Sequence, residues 1–451
     1  MIKVVKFGGS SLASAEQFQK VGSIIRKDET RRYVIPSAPG KRTSKDTKVT
    51  DLLYSCYGQA ILANDDRDDE HDEHQENFES LLNQIKERYN EIIRGLSLEL
   101  SLEEDFKTIR ENFTKKIGRD YAASRGEYLN GKIMAAYLGI AFIDAAEVIF
   151  FDEAGNFDDK KTNEAVADRL SKIDRAVIPG FYGSRPNGKI KTFSRGGSDI
   201  TGSIVAKAVH ADMYENWTDV SGFLIADPRV ITNPKPIDVI TYRELRELSY
   251  MGATVLHEDA IFPVRKEGIP INIRNTNAPE DKGTLIVEAT CQKPRFVITG
   301  IAGKKDFASV TVEKAMMNGQ IGFCRRTLEV FEKNDISIEH MPSGIDTMTI
   351  FVHQDEFAEK EQQVIAGIHR AVEPDYLELE SDLALIAVVG RGMKATRGTS
   401  GRIFSALAHA SVNVKMIDQG SSELNIIIGV RNHDFEAAVK AIYDIFVTTQ
   451  I

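Results

Sequence analysis

Apolar and polar positions alternate from the first residues. In MIKVVKFGGSSL, Ile2, Val4, Val5 and Phe7 suit a short buried strand that runs straight into Gly8 and Gly9. The period then changes: in SAEQFQKVGSIIRKD, Phe18, Val21, Ile24 and Ile25 share one helical face, and Ser14 and Gln17 have capping-box spacing. RYVIPSAPG predicts the next strand and its exit loop. Further strands are predicted at IAFIDAAEVI, RAVIPGF, DMYENWTDV and IPINIRNT, separated by helical stretches that include 200–209 and 241–266. Alternation of this kind predicts a layered α/β domain with a largely parallel sheet. The pattern breaks at VEATCQKPRF, within 288–296, which divides the chain into 1–290 and 296–451.

The second part repeats itself. A shift of 76 residues aligns Val310 with Ile386, Val312 with Val388, Phe331 with Leu407, Ile336 with Val412, Ile338 with Val414, Gly344 with Gly420 and Ile350 with Ile426. Each copy reads strand, glycine-containing loop, helix, strand, turn, strand, helix, strand, which predicts two small ferredoxin-like α+β units over about 306–375 and 381–451. A period this long predicts paired domains, which could be interleaved, and not a solenoid.

Composition narrows the function classes. The 451 residues suggest roughly three units, and a net charge of −10 disfavours nucleic acid as the main partner. The N-terminus lacks a signal peptide's apolar core, and no run approaches the ~18 apolar residues of a membrane span, so a cytoplasmic protein is expected. Cys56, Cys291 and Cys324 lack metal or disulfide spacing and are expected to be buried reduced thiols; no protein metal site is predicted. The run DDRDDEHDEHQE, residues 65–76, invites a metal reading. Helical apolar spacing resumes at Phe78, Leu81, Leu82 and Ile85, which favours a solvated lead-in to a helical hairpin. His257 lies on an apolar helix and reads as structural.

The chemistry-bearing residues gather at predicted strand ends, where α/β folds build their sites. KFGGSS is not a Walker loop, because the lysine precedes the glycines. In FSRGGSDITGSIVAKAVHAD, Arg195, Gly196, Gly197, Ser198 and Asp199 run into a helix whose free N–H groups favour an anion, and Arg195 could grip a carboxylate. WTDVSGFLIADPRV adds Thr218, Asp219, Asp227 and Arg229, and ASRGEYLNGKIM adds Glu127, a potential acceptor for a substrate ammonium group.

KFGGSS, SRGGSD, WTDVSGFLIADPR and GATVLHEDA, in that order, resemble the aspartate kinase family of the amino acid kinase fold, and the duplicated tail resembles its paired regulatory ACT domains. The resemblance spans essentially the whole chain. It implies a three-layer α/β/α amino-acid-kinase-type sandwich that transfers the γ-phosphoryl group of ATP to the side-chain carboxylate of L-aspartate, with Mg2+ bridging the phosphates. It further implies that Lys6 neutralises the transferring group while Gly8, Gly9 and Ser10 offer donors to the phosphates. Arg195 would hold the substrate α-carboxylate and Glu127 its ammonium group. Thr50, Phe181 and Ser198 would be further substrate-side positions, Asp199 would complete the catalytic loop, and Thr218, Asp219, Asp227 and Arg229 would lie on the nucleotide side. The chain departs from the family pattern at Leu224, where many relatives carry Tyr, and at Thr254, where many carry Lys; both bear on nucleotide contacts.

In the tail, the resemblance implies an effector site built from Met317, Gly322 and Phe323 in a loop and helix start, with Ser337, Ile338 and Glu339 on the following strand. Lysine, threonine or both are the implied feedback effectors, and a homodimer or homotetramer joined through the ACT domains is implied. Two alternatives stay open: a kinase of the same fold acting on glutamate, acetylglutamate or a nucleotide, and a catalytically silent amino-acid sensor.

Overall fold

A computed structural model of the chain describes residues 1–63, 71–194, 196–253, 261–292 and 294–449. Arg195, Thr254, His257 and the first half of the acidic run, 65–70, therefore lie outside the described residues. The chain divides into two compact units. The first comprises Met1–Phe223, Asp238–Tyr242 and Val255–Thr290, and the second Leu224–Ile237, Arg243–Thr254 and Cys291–Ile451.

The first unit is built on strands β1 (Lys3–Phe7), β2 (Arg31–Pro36), β3 (Ala141–Phe142), β4 (Ala176–Val177), a small antiparallel hairpin β5 (Tyr182–Ser184) and β6 (Ile190–Thr192), β7 (Met213–Thr218), β8 (Val239–Thr241), β9 (Ile271–Asn275) and β10 (Thr284–Val287). Eight of them form one sheet in the order β3-β4-β2-β1-β7-β9-β10-β8, parallel except between β9 and β10. The predicted strand at IAFIDAAEVI shrinks to β3, because Asp144 caps a short helix at Ala145–Val148 through its side chain. Helices α1 (Ala15–Arg26), α2 (Val49–Leu62), α3 (His71–Gly95), α4 (Glu103–Thr114) and α5 (Arg119–Leu138) pack beside this sheet. Their apolar faces meet β1 in one core that contains Phe7, Phe18, Leu53, Ile85, Tyr89, Leu129 and Trp217. Ser14 accepts from the Gln17 amide, the cap the sequence predicts for α1.

The second unit holds a continuous sheet of five strands, β11 (Gly300–Glu313), β12 (Thr347–His353), β13 (Tyr376–Val389), β14 (Met416–Asp418) and β15 (Asn425–Arg431), in the order β12-β11-β13-β15-β14. The long strands β11 and β13 each serve both repeats. Phe307–Glu313 pairs with β12 on one side, while Gly300–Lys304 pairs with Leu385–Val389 beyond an irregular step around Asp306. Ser337, Ile338 and Glu339 do not form the regular strand expected of them. Pairing with β12 is confined to isolated bridges, His340 with Phe351 and Ser343 with Met348, and the Glu339 amide donates to the Phe351 carbonyl. The expectation of three buried thiols also fails: Cys56 is buried, but Cys291 and Cys324 are exposed.

Candidate active site

Strand register assembles the centre of the first unit. Lys6 on β1 sits directly across from Asn216 on β7, and both reach Asp199 in the first turn of helix Gly197–Ala208. The Lys6 ammonium lies 2.5 Å from the Asp199 carboxylate, and the Asn216 side-chain amide donates to the same carboxylate at 2.8 Å. Lys6 is only 8% exposed, so its charge is felt across a poorly screened space. Asn216 was not singled out in the sequence. Its signal lies in alternation, which puts Tyr214 and Asn216 on one face of β7, and the Tyr214 hydroxyl in turn donates to the Asp199 backbone carbonyl.

The two glycines after β1 have separate roles. A Cβ on Gly9 would come within 2.8 Å of the Ala38 carbonyl oxygen, and the Gly40 amide donates to the Gly9 carbonyl at 2.8 Å. Gly9 thus lets two loop backbones touch. Gly8, whose amide donates to the Trp217 carbonyl, lies beside Lys6, where a Cβ would make only ordinary contact, 3.6 Å, with the ammonium nitrogen. Ser10 follows in the short helix Gly9–Leu12. Ser11, also unremarked in the sequence, shares a 2.8 Å hydrogen bond with Thr276. The Thr276 amide donates to Thr218, which ties the glycine loop to the ends of β7 and β9; Thr218 itself donates to Asp219 at 3.2 Å.

Glu127 is buried on α5. Burial, the dominant cause, pushes its carboxyl up to about 8, against the opposing pull of the Ala38 amide, Arg125 and Lys6. Its Oε2 is buried without a hydrogen-bond partner. Thr50 in the first turn of α2 lies close by: a Cβ on Gly126 would be 3.9 Å from its hydroxyl and 2.8 Å from the Ala38 side chain. Phe181 is held at φ 83°, a strained conformation for a bulky residue, and its amide donates to Thr201 in helix Gly197–Ala208. Ser198 presses against Gly180 from the same helix start.

Two of the expected nucleotide-side residues fall in the second unit. Arg229 donates from its backbone amide and guanidinium to Asp227, an exposed turn clamp that holds Asp227 below the usual carboxylate range. In the tail, Met317 and Phe323 are core side chains of the first repeat, so they could offer a ligand only backbone. Gly322, at φ 79°, starts helix Phe323–Lys333, and Ile321 before it is almost fully exposed. Glu339 has a buried side chain: His353 Nε2 stands 3.2 Å from its Oε1, and the Tyr250 hydroxyl hydrogen-bonds to the same carboxyl group.

The amino acid kinase family profile matches residues 1–275 and an ACT domain profile matches 386–446. Over 99% of its length the chain is 39% identical to Aspartokinase 3 of Bacillus subtilis, of which it covers 98%. The crystal structure of Clostridium acetobutylicum aspartate kinase, described as an allosteric enzyme, superposes with a TM-score of 0.89 at 51% identity, with 99% of each chain covered. Escherichia coli aspartokinase III in complex with lysine and aspartate superposes with a TM-score of 0.71 at 25% identity, covering 98% of this chain and 99% of that one. The chain belongs to the amino acid kinase family, in its aspartate kinase branch.

Proposed function

We propose that this aspartate kinase divides its labour between Lys6 with Asp199 on the phosphoryl side and Glu127 with Thr50 on the amino-acid side. The reaction moves the γ-phosphoryl group of ATP to the side-chain carboxylate of L-aspartate. A carboxylate oxygen forms the new P–O bond, the bond to the β-phosphate bridging oxygen breaks, and ADP leaves with 4-phospho-L-aspartate. The nucleophile is already an anion at neutral pH, so no base is needed, and catalysis rests on alignment and charge neutralisation. The single observation that carries this reading is a buried ammonium, Lys6, whose charge reaches Glu127, a buried carboxyl group with one oxygen unpartnered.

Lys6 neutralises the equatorial oxygens as negative charge shifts toward the leaving group, and Asp199 with Asn216 fixes its direction. Gly8, Gly9, Ser10 and Thr218 with Asp219 line the phosphate side, and Asp227 and Arg229 serve the nucleotide. Arg195 holds the substrate α-carboxylate, with Ser198 and Phe181 shaping that end of the pocket. Magnesium would come with ATP, and Asp199 or Asp219 would be the carboxylate available to hold it beside the phosphate oxygens, where it would supply further charge neutralisation.

The second unit exerts feedback. Lysine, threonine or both bind at Gly322, Ser337, Ile338 and Glu339, with Met317 and Phe323 supporting the loop, in two ACT units over 306–375 and 381–451 that share β11 and β13. Pairing of these units between chains gives a homodimer or homotetramer. No described helix is long and apolar enough to cross a membrane, and a cytoplasmic location fits substrates that are cytosolic solutes.

The test is ATP turnover with L-aspartate and magnesium, using hydroxylamine to trap the acyl phosphate, repeated with glutamate as acceptor and with lysine, threonine and both added. Hydroxamate from aspartate that falls with an effector supports the reading. Turnover with glutamate alone overturns the substrate, and turnover indifferent to both effectors overturns the feedback role.

A further inference from the structure

Arg88 interrupts an apolar stripe. On α3, Phe78, Leu82, Ile85, Tyr89 and Ile92 all turn into the core, and Arg88, at the next helical step from Ile85, goes in with them at 4% side-chain exposure. Burying a guanidinium among such neighbours is unfavourable unless its donors are used. Here the two terminal nitrogens are used on loops, while Nε is buried without a hydrogen-bond partner. One terminal nitrogen lies 2.5 Å from the Asp46 carboxylate. The other donates to the Gly40 carbonyl at 2.7 Å and the Ala13 carbonyl at 3.4 Å.

Those three acceptors belong to two loops, one that follows the glycines of the phosphate side and one that leads into Thr50 on the amino-acid side. Ala13 closes the segment that follows Gly8 and Gly9, and Gly40 is the residue whose amide bonds Gly9. Asp46 lies just before α2 and is gripped a second time by Arg42, through its backbone amide at 2.9 Å and side-chain Nε at 3.0 Å. The loop between Gly40 and Asp46 leads directly into Thr50, and its start supplies the Ala38 amide that faces Glu127. The next residue on α3 continues the same support: the buried Tyr89 hydroxyl donates at 2.8 Å to the carbonyl of Gly126, immediately before Glu127.

We propose that Arg88 is a positioning residue for aspartate, pinning the 38–48 loop against the glycine loop so that Ala38, Thr50 and Glu127 keep the spacing of one ammonium-binding pocket. The proposal rests on the assignment of Glu127 and Thr50 to the amino-acid side. Arg88 touches neither substrate and acts through the loop. A planar fork meeting a carboxylate and two carbonyls in different directions is a task that lysine, with one compact charge, cannot reproduce. The sequence carried a signal for it: a lone charge on the buried face of an otherwise regular amphipathic helix.

The experiment is steady-state kinetics on the full-length chain carrying Arg88→Ala, Arg88→Lys, Asp46→Asn or Glu127→Gln, with thermal unfolding followed for each. For Arg88→Ala, the KM for aspartate should rise about tenfold or more while the KM for ATP moves less than about twofold, as expected for lost preorganisation on one substrate. Added guanidinium ion at non-denaturing concentration should recover part of the loss, a readout that a purely structural role would not give. Arg88→Lys and Asp46→Asn should shift the same constant by less, and they carry the test if Arg88→Ala does not fold. A lowered unfolding temperature with an unchanged KM for aspartate overturns the proposal, as does an equal rise in both KM values. A raised aspartate KM in Arg88→Ala but not in Glu127→Gln supports the positioning role and overturns the assignment of Glu127. A rise only in Glu127→Gln does the reverse, and no rise in either overturns both.

Discussion

Glu127 in the first unit and Glu339 in the second are both buried carboxyl groups, yet their settings differ. Glu127 stands on a long helix inside the main core, where burial pushes its carboxyl up to about 8. Glu339 stands on an irregular segment beside the first repeat, already engaged by His353 through one oxygen and by the Tyr250 hydroxyl. The shift of 76 that relates the repeats puts Lys415 in the place of Glu339, and Lys415 is paired at 2.7 Å with Glu380, which Arg431 also engages. Duplication has preserved the backbone and inverted the charge. On the proposed reading a buried carboxyl group serves an ammonium group twice in the molecule, Glu127 for the substrate and Glu339 for the effector, while the matching position of the second repeat carries the cation Lys415.

The hardest way to break this comparison is to remove the cation that gives the first site its chemistry. Lys6→Ala should lower turnover by about 100-fold or more while ATP binding stays measurable by calorimetry, as for other losses of preorganised charge; near-normal turnover would remove Lys6 from the mechanism. Glu127→Gln should raise the KM for aspartate about 10- to 100-fold, the usual range for a charged hydrogen bond lost in a buried site. The pH dependence sharpens the point. In the folded chain Glu127 ionises only near pH 8, against about 4.5 when unfolded, so its contribution to stability is complete below about pH 4.5 and is lost as pH rises through about 8. Thermal unfolding across that interval should show the fall in the native chain and a shallower one in Glu127→Gln. For the same reason kcat/KM for aspartate should climb towards pH 8, and a profile identical in the variant would assign the titration elsewhere.

Weaker effects belong to the second unit. Glu339→Gln should raise the lysine or threonine concentration for half-inhibition about tenfold, a loss of one charge-assisted contact. An unchanged inhibition curve would move the effector site away from Glu339. Smallest of all, Lys415→Ala should shift that concentration less than about twofold, since a part-exposed ion pair contributes little. A large effect from Lys415 would mean that both repeats take part and would end the asymmetry argued above.

Much of this was legible in the order of residues. The strand before Gly8, the cap at Ser14, the helix after Gly196 and the repeat of the tail rest on short-range rules, in which period and turn chemistry are set by near neighbours. Misreadings occurred where tertiary context overrode them. Ser337 to Glu339 form no regular strand, although the Glu339 amide donates to the Phe351 carbonyl of β12, and Cys324 is exposed because it falls off the apolar stripe of its helix.

By itself the sequence determined the parallel α/β layer, the duplicated α+β tail, the glycine loops and the family resemblance, because periodicity, glycine placement and motif order are properties of the chain read locally. Only the tertiary structure decided that Asn216 steers Asp199 toward Lys6, that Gly9 is small for the sake of Gly40, that Glu127 is driven neutral, and that Arg88 goes inward to hold two loops. Each depends on groups far apart in the chain meeting where water is excluded. The strength of a charge or hydrogen bond there is set by burial and by which partner the packing supplies, and neither is written in any one stretch of residues.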